Sequence, residues 1–152
     1  MEFVGDEKNK IFIDYAHTPD AYKNILKLIN EIKSDNDKII TLFGCGGDRD
    51  KEKRPEMAKI SEQYSDKIIV TTDNPRTENI DTIISDILNG FEHKKHIVIK
   101  DRELAIINSI NMMSENTILI VLGKGRESYQ LINKQKKYHN DVEIIKREIN
   151  AN

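Results

Sequence analysis

Lys67-Ile68-Ile69-Val70-Thr71-Thr72-Asp73-Asn74-Pro75-Arg76 is the stretch on which the reading of this chain turns. After Lys67, residues 68–72 are all β-branched and three of them apolar, a run too short for a helix and bounded by turn formers, which predicts a short buried strand. The strand has to stop at Pro75, because proline fixes φ and removes a backbone donor. Taken alone, Asp73 to Arg76 reads as an Asx-type turn leading from strand to helix. The same four residues also gather a carboxylate, an amide and a guanidinium. Arg pairs with a carboxylate through two parallel bonds, and Asp or Asn can accept from an ammonium, so the set is equally suited to grip a zwitterion.

Working outward, the pattern alternates. Lys10–Asp14, Lys38–Phe43, His96–Lys100 and Thr117–Leu122 read as further strands. Helices are predicted from Pro19 to Lys33, with Ala21, Ile25, Leu28, Ile29 and Ile32 on one face, and from Arg54 to Tyr64. A third is striped by Ile80, Ile83, Ile84 and Ile87, a fourth by Leu104, Ile107 and Ile110, and a last by Val142, Ile145 and Ile149. Thr18 and Asp101 stand where N-caps belong. A short helical turn is expected over 127–132, then a Lys-rich turn and a short extra strand near 136–138. Strand-helix alternation of this kind makes right-handed βαβ units. The fold class is therefore α/β: a Rossmann-like three-layer sandwich with a mainly parallel sheet of five to six strands, expected as one domain over 1–152.

In such sheets ligands bind outside the carboxyl ends of the strands. Four polar segments fall there: Asp14-Tyr-Ala-His-Thr-Pro-Asp20, Phe43-Gly-Cys-Gly-Gly-Asp-Arg-Asp-Lys51, Asp73 to Arg76, and Gly123-Lys-Gly-Arg-Glu127. The two Gly-rich segments match neither the dinucleotide-binding fingerprint nor a P-loop, and each also reads as a plain turn. Asp14 suits ribose hydroxyls and His17 a phosphate or base, or both simply end the strand. His93, His96 and His139 read as solvated surface, and Cys45 as a small residue near the core.

Composition narrows the classes. A net charge of −2 over 152 residues, with pI near 6.1, argues against a general nucleic-acid binder. A single cysteine excludes a disulfide framework. No run reaches the roughly 18 apolar residues of a membrane span, and the first residues lack the basic start and apolar stretch of a secretory leader. These features favour the cytoplasm.

Together, in order and spacing, the four segments resemble the C-terminal domain of the Mur ligases over essentially the whole chain, and within them the branch that adds the third peptide residue in peptidoglycan synthesis. The resemblance implies an ATP- and Mg²⁺-dependent ligase that joins meso-diaminopimelate to UDP-MurNAc-L-Ala-D-Glu. It assigns Asp73-Asn74-Pro75-Arg76 to diaminopimelate recognition, Arg49 to a carboxylate of the same substrate, and Gly123 and Glu127 to completing the pocket, Glu127 meeting an ammonium. Asp14 and His17 would look toward ATP. Arg126 departs from the family, which commonly has His there. The P-loop and the UDP-binding domain are missing, so the chain is expected to be a third domain that works only with the remaining domains of the same ligase. The competing readings are a free-standing binding module for a diamino acid or nucleotide, and a flavodoxin-like or response-regulator fold.

Overall fold

The computed structural model describes residues 1–151. Six strands form one sheet in the order β1-β2-β6-β3-β4-β5. They are β1 (Glu2–Phe3), β2 (Lys10–Asp14), β3 (Lys38–Phe43), β4 (Lys67–Val70), β5 (His96–Val98) and β6 (Thr117–Leu122). Only β1 runs antiparallel to its neighbour; the rest are parallel. Glu2–Phe3 is too short to announce itself in sequence. It is held by pairing to Ile13 and Phe12, with the rings of Phe3 and Phe12 5.3 Å apart.

Alternation along each strand splits the core into two layers, as a parallel sheet buried on both faces requires. Ile118, Ile120 and Leu122 of β6 face α1 (Pro19–Ile32), α2 (Lys53–Tyr64) and α3 (Ile80–Leu88). Leu119 and Val121 face α4 (Arg102–Asn111) and α5 (Asp141–Ala151). The caps fall where expected: Ala21 N donates to Thr18 Oγ1 at 3.3 Å and Leu104 N to Asp101 Oδ1 at 3.0 Å.

Several expectations need correction. The buried face of α1 is Pro19, Tyr22, Leu26 and Ile29, leaving Leu28 and Ile32 in solvent. Tyr22 lies edge-on to Phe43 of β3 and turns the helix by that contact. On α4, Leu104 is exposed while Ala105, Ile106 and Ile110 are buried. The helical turn expected over 127–132 is instead a strand, β7 (Tyr129–Ile132), paired antiparallel with β8 (Gln135–Tyr138), the short extra strand expected near 136–138. The two are joined by Asn133 and Lys134, both with positive φ (48° and 63°), the geometry of a two-residue hairpin turn that matches strand twist. His139 is buried rather than solvated, and His96 stacks on Phe91 with ring centroids 4.3 Å apart.

One ion pair ties the two ends of the fold's ligand edge. The guanidinium of Arg102, fully buried, donates to both oxygens of Asp141 (2.9 and 2.7 Å) and to the carbonyls of Leu122 (3.0 Å) and Thr72 (3.4 Å). His139 Nε2 lies 2.7 Å from Asp141 Oδ1. Burial would push the Asp141 carboxyl up, but the Arg102 charge and the His139 bond hold it well below the usual carboxylate range. Removing one partner strands a buried charge. Arg102→Met should therefore cost roughly 3–5 kcal/mol in a urea unfolding curve, with Arg102→Met/Asp141→Leu regaining most of it. A loss within experimental error in the single variant would show that this pair does not brace the fold.

Candidate functional site

The loops after β3 and β4 are cross-braced at the carboxyl edge of the sheet. Gly47 N donates to Asn74 O at 2.8 Å, and Arg76 Nη1 returns a bond to Gly47 O at 2.9 Å. This close approach is why position 47 must be glycine: a Cβ would collide with the Pro75 carbonyl. Asp48 accepts from Thr77 N and Oγ1 (3.2 and 2.8 Å). Below them Arg54, 1% exposed, donates to both oxygens of Glu78 (2.7 and 2.7 Å), to Asp86 (2.9 Å) and to Gly46 O (3.0 Å). Those bonds, against a smaller effect of burial, pull the Glu78 carboxyl down to about 2.

The hairpin closes the same site from behind. Arg76 N donates to Leu131 O at 2.9 Å and Asn133 N to Arg76 O at 2.8 Å, an isolated parallel bridge between Arg76 and Ile132. Arg76 itself takes φ +53°, a left-handed conformation costly for a side chain of its size. Gln130 Nε2 holds Asp73 O at 2.8 Å.

From the β6 side, Gly123 adopts φ +108°, with no room for a Cβ beside Asp73 Oδ2. That turn sends Lys124 inward, where it is fully buried. Its Nζ donates to Asn74 Oδ1 (2.9 Å) and Glu127 Oε2 (2.6 Å) and lies 3.8 Å from Asp73 Oδ1. Leu131 N also donates to Asn74 Oδ1 at 2.9 Å, while Asn74 Nδ2 donates to Glu127 Oε2 at 3.2 Å. Both lone pairs of the Asn74 carbonyl are thus filled. With one N–H given to Glu127, what Asn74 has left to offer is its second N–H, which suits a carboxylate and not, as its chemistry in isolation allowed, an ammonium. Burial works to raise the Glu127 carboxyl, but Lys124 and Asn74 outweigh it and hold it below its ordinary value.

These loops enclose a cleft of about 330 Å³. Of the residues singled out from sequence, His17, Arg49, Asp73, Asn74, Arg76 and Gly123 line it. Asp14 does not; its Oδ1 accepts from Ala16 N at 2.7 Å and shapes the turn that presents His17. Pro75 faces a neighbouring open groove, and Glu127 stands behind Asn74. Arg126 points to the surface, where its Nε pairs with Glu2 at 2.8 Å, away from the cleft. Cys45 lines the floor, but burial pushes its thiol up to about 12, which removes it as a nucleophile.

A profile of the Mur ligase, glutamate ligase domain, matches residues 1–125. The chain belongs to the Mur ligase family. Among curated relatives it is 49% identical over 148 residues to the UDP-N-acetylmuramoyl-L-alanyl-D-glutamate--2,6-diaminopimelate ligase of Clostridioides difficile (strain 630), covering 95% of this chain and 30% of that protein. A solved structure of a ligase of the same name superposes with TM-score 0.92 at 35% identity, covering 99% of this chain and 31% of the other. Escherichia coli FolC in complex with ADP shares the fold alone, at TM-score 0.63 and 13% identity, over 97% of this chain and 30% of that one. The chain thus spans about 30% of the length of these two ligases.

Sequence reasoning left out two residues that build this Mur ligase site, Lys124 and Arg54. Lys124 carried a signal, a lysine between two glycines directly after a buried strand. Arg54 carried none, since it looks like an ordinary charged residue opening a helix. Among the described residues, no helix is long and apolar enough to cross a membrane, and no group of three or more His, Cys, Asp or Glu is arranged to hold a metal ion.

Glu78 gives the brace a pH signature. Its folded value lies far below the unfolded one, so its stabilisation is complete above the ordinary carboxylate range and fades as pH falls from about 4.5 toward 2. Glu78→Gln should cost on the order of 1–3 kcal/mol at pH 7 and nothing near pH 2. Urea unfolding at both pH values tests this, and a pH-independent difference would sever Glu78 from the brace.

Proposed function

We propose that the chain is the amino-acid-reading domain of an ATP-dependent ligase that joins meso-diaminopimelate to UDP-MurNAc-L-Ala-D-Glu in the cytoplasm. The observation that carries this reading is that the cleft holds both signs of charge. Arg49, Arg76 and the Asn74 amide nitrogen offer positive or hydrogen-bond-donating groups, whereas Asp73, with Glu127 behind Asn74, offers carboxylate oxygens. Such a mix of groups fits a ligand end that carries a carboxylate and an ammonium together. L-Lysine ends in an ammonium alone and would leave the guanidinium groups unmatched, a cost of several kcal/mol in a desolvated site. A thioether diamino acid with the same distal zwitterion, such as lanthionine, would be accepted.

Residues 1–152 act here as one domain within a longer ligase, supplying the diamino-acid pocket and, through His17 on the turn shaped by Asp14, one side of an ATP site. In the whole ligase, ATP would transfer its γ-phosphoryl group to the D-glutamyl carboxylate with release of ADP, and the incoming amine would displace phosphate from that acyl phosphate to form the amide. Among the described residues no group of three or more His, Cys, Asp or Glu is arranged to hold a metal ion, and Mg²⁺ would be held mainly by the central domain. Activation and the UDP-sugar belong to the remaining domains, so the isolated chain should not turn over; ligation by it alone would refute this.

Amide shifts near Arg49 and Arg76 should move when the chain is titrated with meso-diaminopimelate and not with L-lysine. An equal response to both would overturn the zwitterion reading. Binding by the chain, coupled with no ligation by the full reading frame that contains it, would mark a non-catalytic module. In the full ligase, Arg76→Ala should raise the KM for the diamino acid about tenfold or more, given about 1.5–3 kcal/mol per charge-assisted bond. An unchanged KM would make Arg76 purely structural.

A further inference from the structure

We propose that Lys124 is a positioning residue that sets the specificity of this pocket: it aims Asn74, neutralises Glu127, and thereby tilts the cleft toward a ligand end bearing a carboxylate. The inference rests on the amino-acid-pocket reading above and extends it to a residue that does not line the cleft.

A fully buried lysine is rare unless every proton of its ammonium is answered. Lys124 has Asn74 Oδ1 at 2.9 Å, Glu127 Oε2 at 2.6 Å, Asp73 Oδ1 at 3.8 Å and the ring of Tyr129 with its centroid at 5.8 Å. Four residues, two from the segment after β4 and two from the segment after β6, therefore converge on one nitrogen. Glycines with φ of +108° and +52° flank it and bring it in from the β6 end.

Two consequences follow for the cleft. The first is orientation. Turning the Asn74 amide over would set its NH₂ against Lys124 Nζ and Leu131 N and its oxygen against Glu127. The amide is therefore locked in one orientation, with Lys124 on its oxygen and Glu127 on its nitrogen supplying the two full charges of that lock. The second is balance. Arg49, Arg76 and Lys124 against Asp73 and Glu127 leave the inner site with one net positive charge, and without Lys124 the balance is zero. Asp50 and Lys53, farther out on the rim, offset each other, and Arg54 is spent on Glu78 and Asp86. A site one charge poorer, with Glu127 released, discriminates less against a lone ammonium.

The test uses the full ligase carrying Lys124→Met, with Lys124→Gln as a second variant that keeps a donor but no charge. In both, the KM for meso-diaminopimelate should rise about tenfold or more while kcat changes less than about threefold, and the preference over L-lysine should fall. A lysine that serves only the fold would lower stability without moving that preference. In the ligand-free 152-residue chain, the Asn74 side-chain amide resonances should shift in either variant. Unchanged KM with unchanged Asn74 resonances would overturn the proposal, as would a loss confined to kcat, which would put Lys124 in the chemistry. The Asn74 readout needs no ligand. If wild-type protein fails to bind meso-diaminopimelate yet Asn74 still responds to Lys124, the functional reading fails and the positioning role stands.

Discussion

The fold's ligand edge depends on a guanidinium held where water cannot reach. Arg102 sits on α4, below the sheet, yet its nitrogens reach the carbonyl of Leu122, which ends β6, and that of Thr72, two residues past the end of β4. Each is followed at once by a residue of the cleft, Asp73 and Gly123. These carbonyls lie at or just past the end of the strands, and buried carbonyls without partners are costly. Arg102 satisfies them, and Asp141, with His139 behind it, satisfies Arg102. The strand ends are thus fixed relative to each other before any loop residue is considered.

Upon that base the loops are held mostly by backbone. Gly47 to Asn74, Arg76 to Leu131 and Asn133 to Arg76 are main-chain bonds, and the glycines at 47 and 123 exist to let chains approach. Side chains of the cleft share in the bracing: Arg76 Nη1 donates to Gly47 O, and the Asn74 amide is bonded at both its oxygen and its nitrogen. The cleft is rigid and polar at once because the same groups do both. Arg54 and Glu78 add a side-chain brace from beneath.

Much of this was legible in the residues. The β-branched runs at 38–43, 67–72 and 117–122 identified the sheet, and their polar sequels located the cleft. The cues failed where tertiary contact outvoted local pattern. Tyr22 is amphipathic and was not counted on the buried face of α1, yet its ring against Phe43 sets that face. Residues 127–132 looked like a helical turn because Glu127 and the apolar residues after it imitate a short amphipathic segment. The Asn133-Lys134 turn decides for a hairpin, but nothing in a two-residue polar pair without glycine advertises positive φ. His139 looked solvated because its partner, Asp141, is buried only through Arg102, far away in sequence. Asp14, expected to look toward ATP or to end its strand, accepts from Ala16 N through one carboxylate oxygen. Buried charge pairs are the least visible of all, since each member alone resembles a surface residue.

The hairpin has a bearing on how the molecule comes into being. All six strands of the sheet are complete by Leu122, and the family-wide match ends at residue 125. The groups that fix Asn74, Asp73 and Arg76 in place, Gln130 to Asn133, come afterwards, more than fifty residues downstream of the tetrapeptide they hold. As the chain leaves the ribosome, the sheet can therefore close while Asp73 to Arg76 is still a loose turn. The cleft is set late, when the hairpin docks, and a chain clipped before Tyr129 lacks the hairpin and also α5, whose Asp141 answers Arg102.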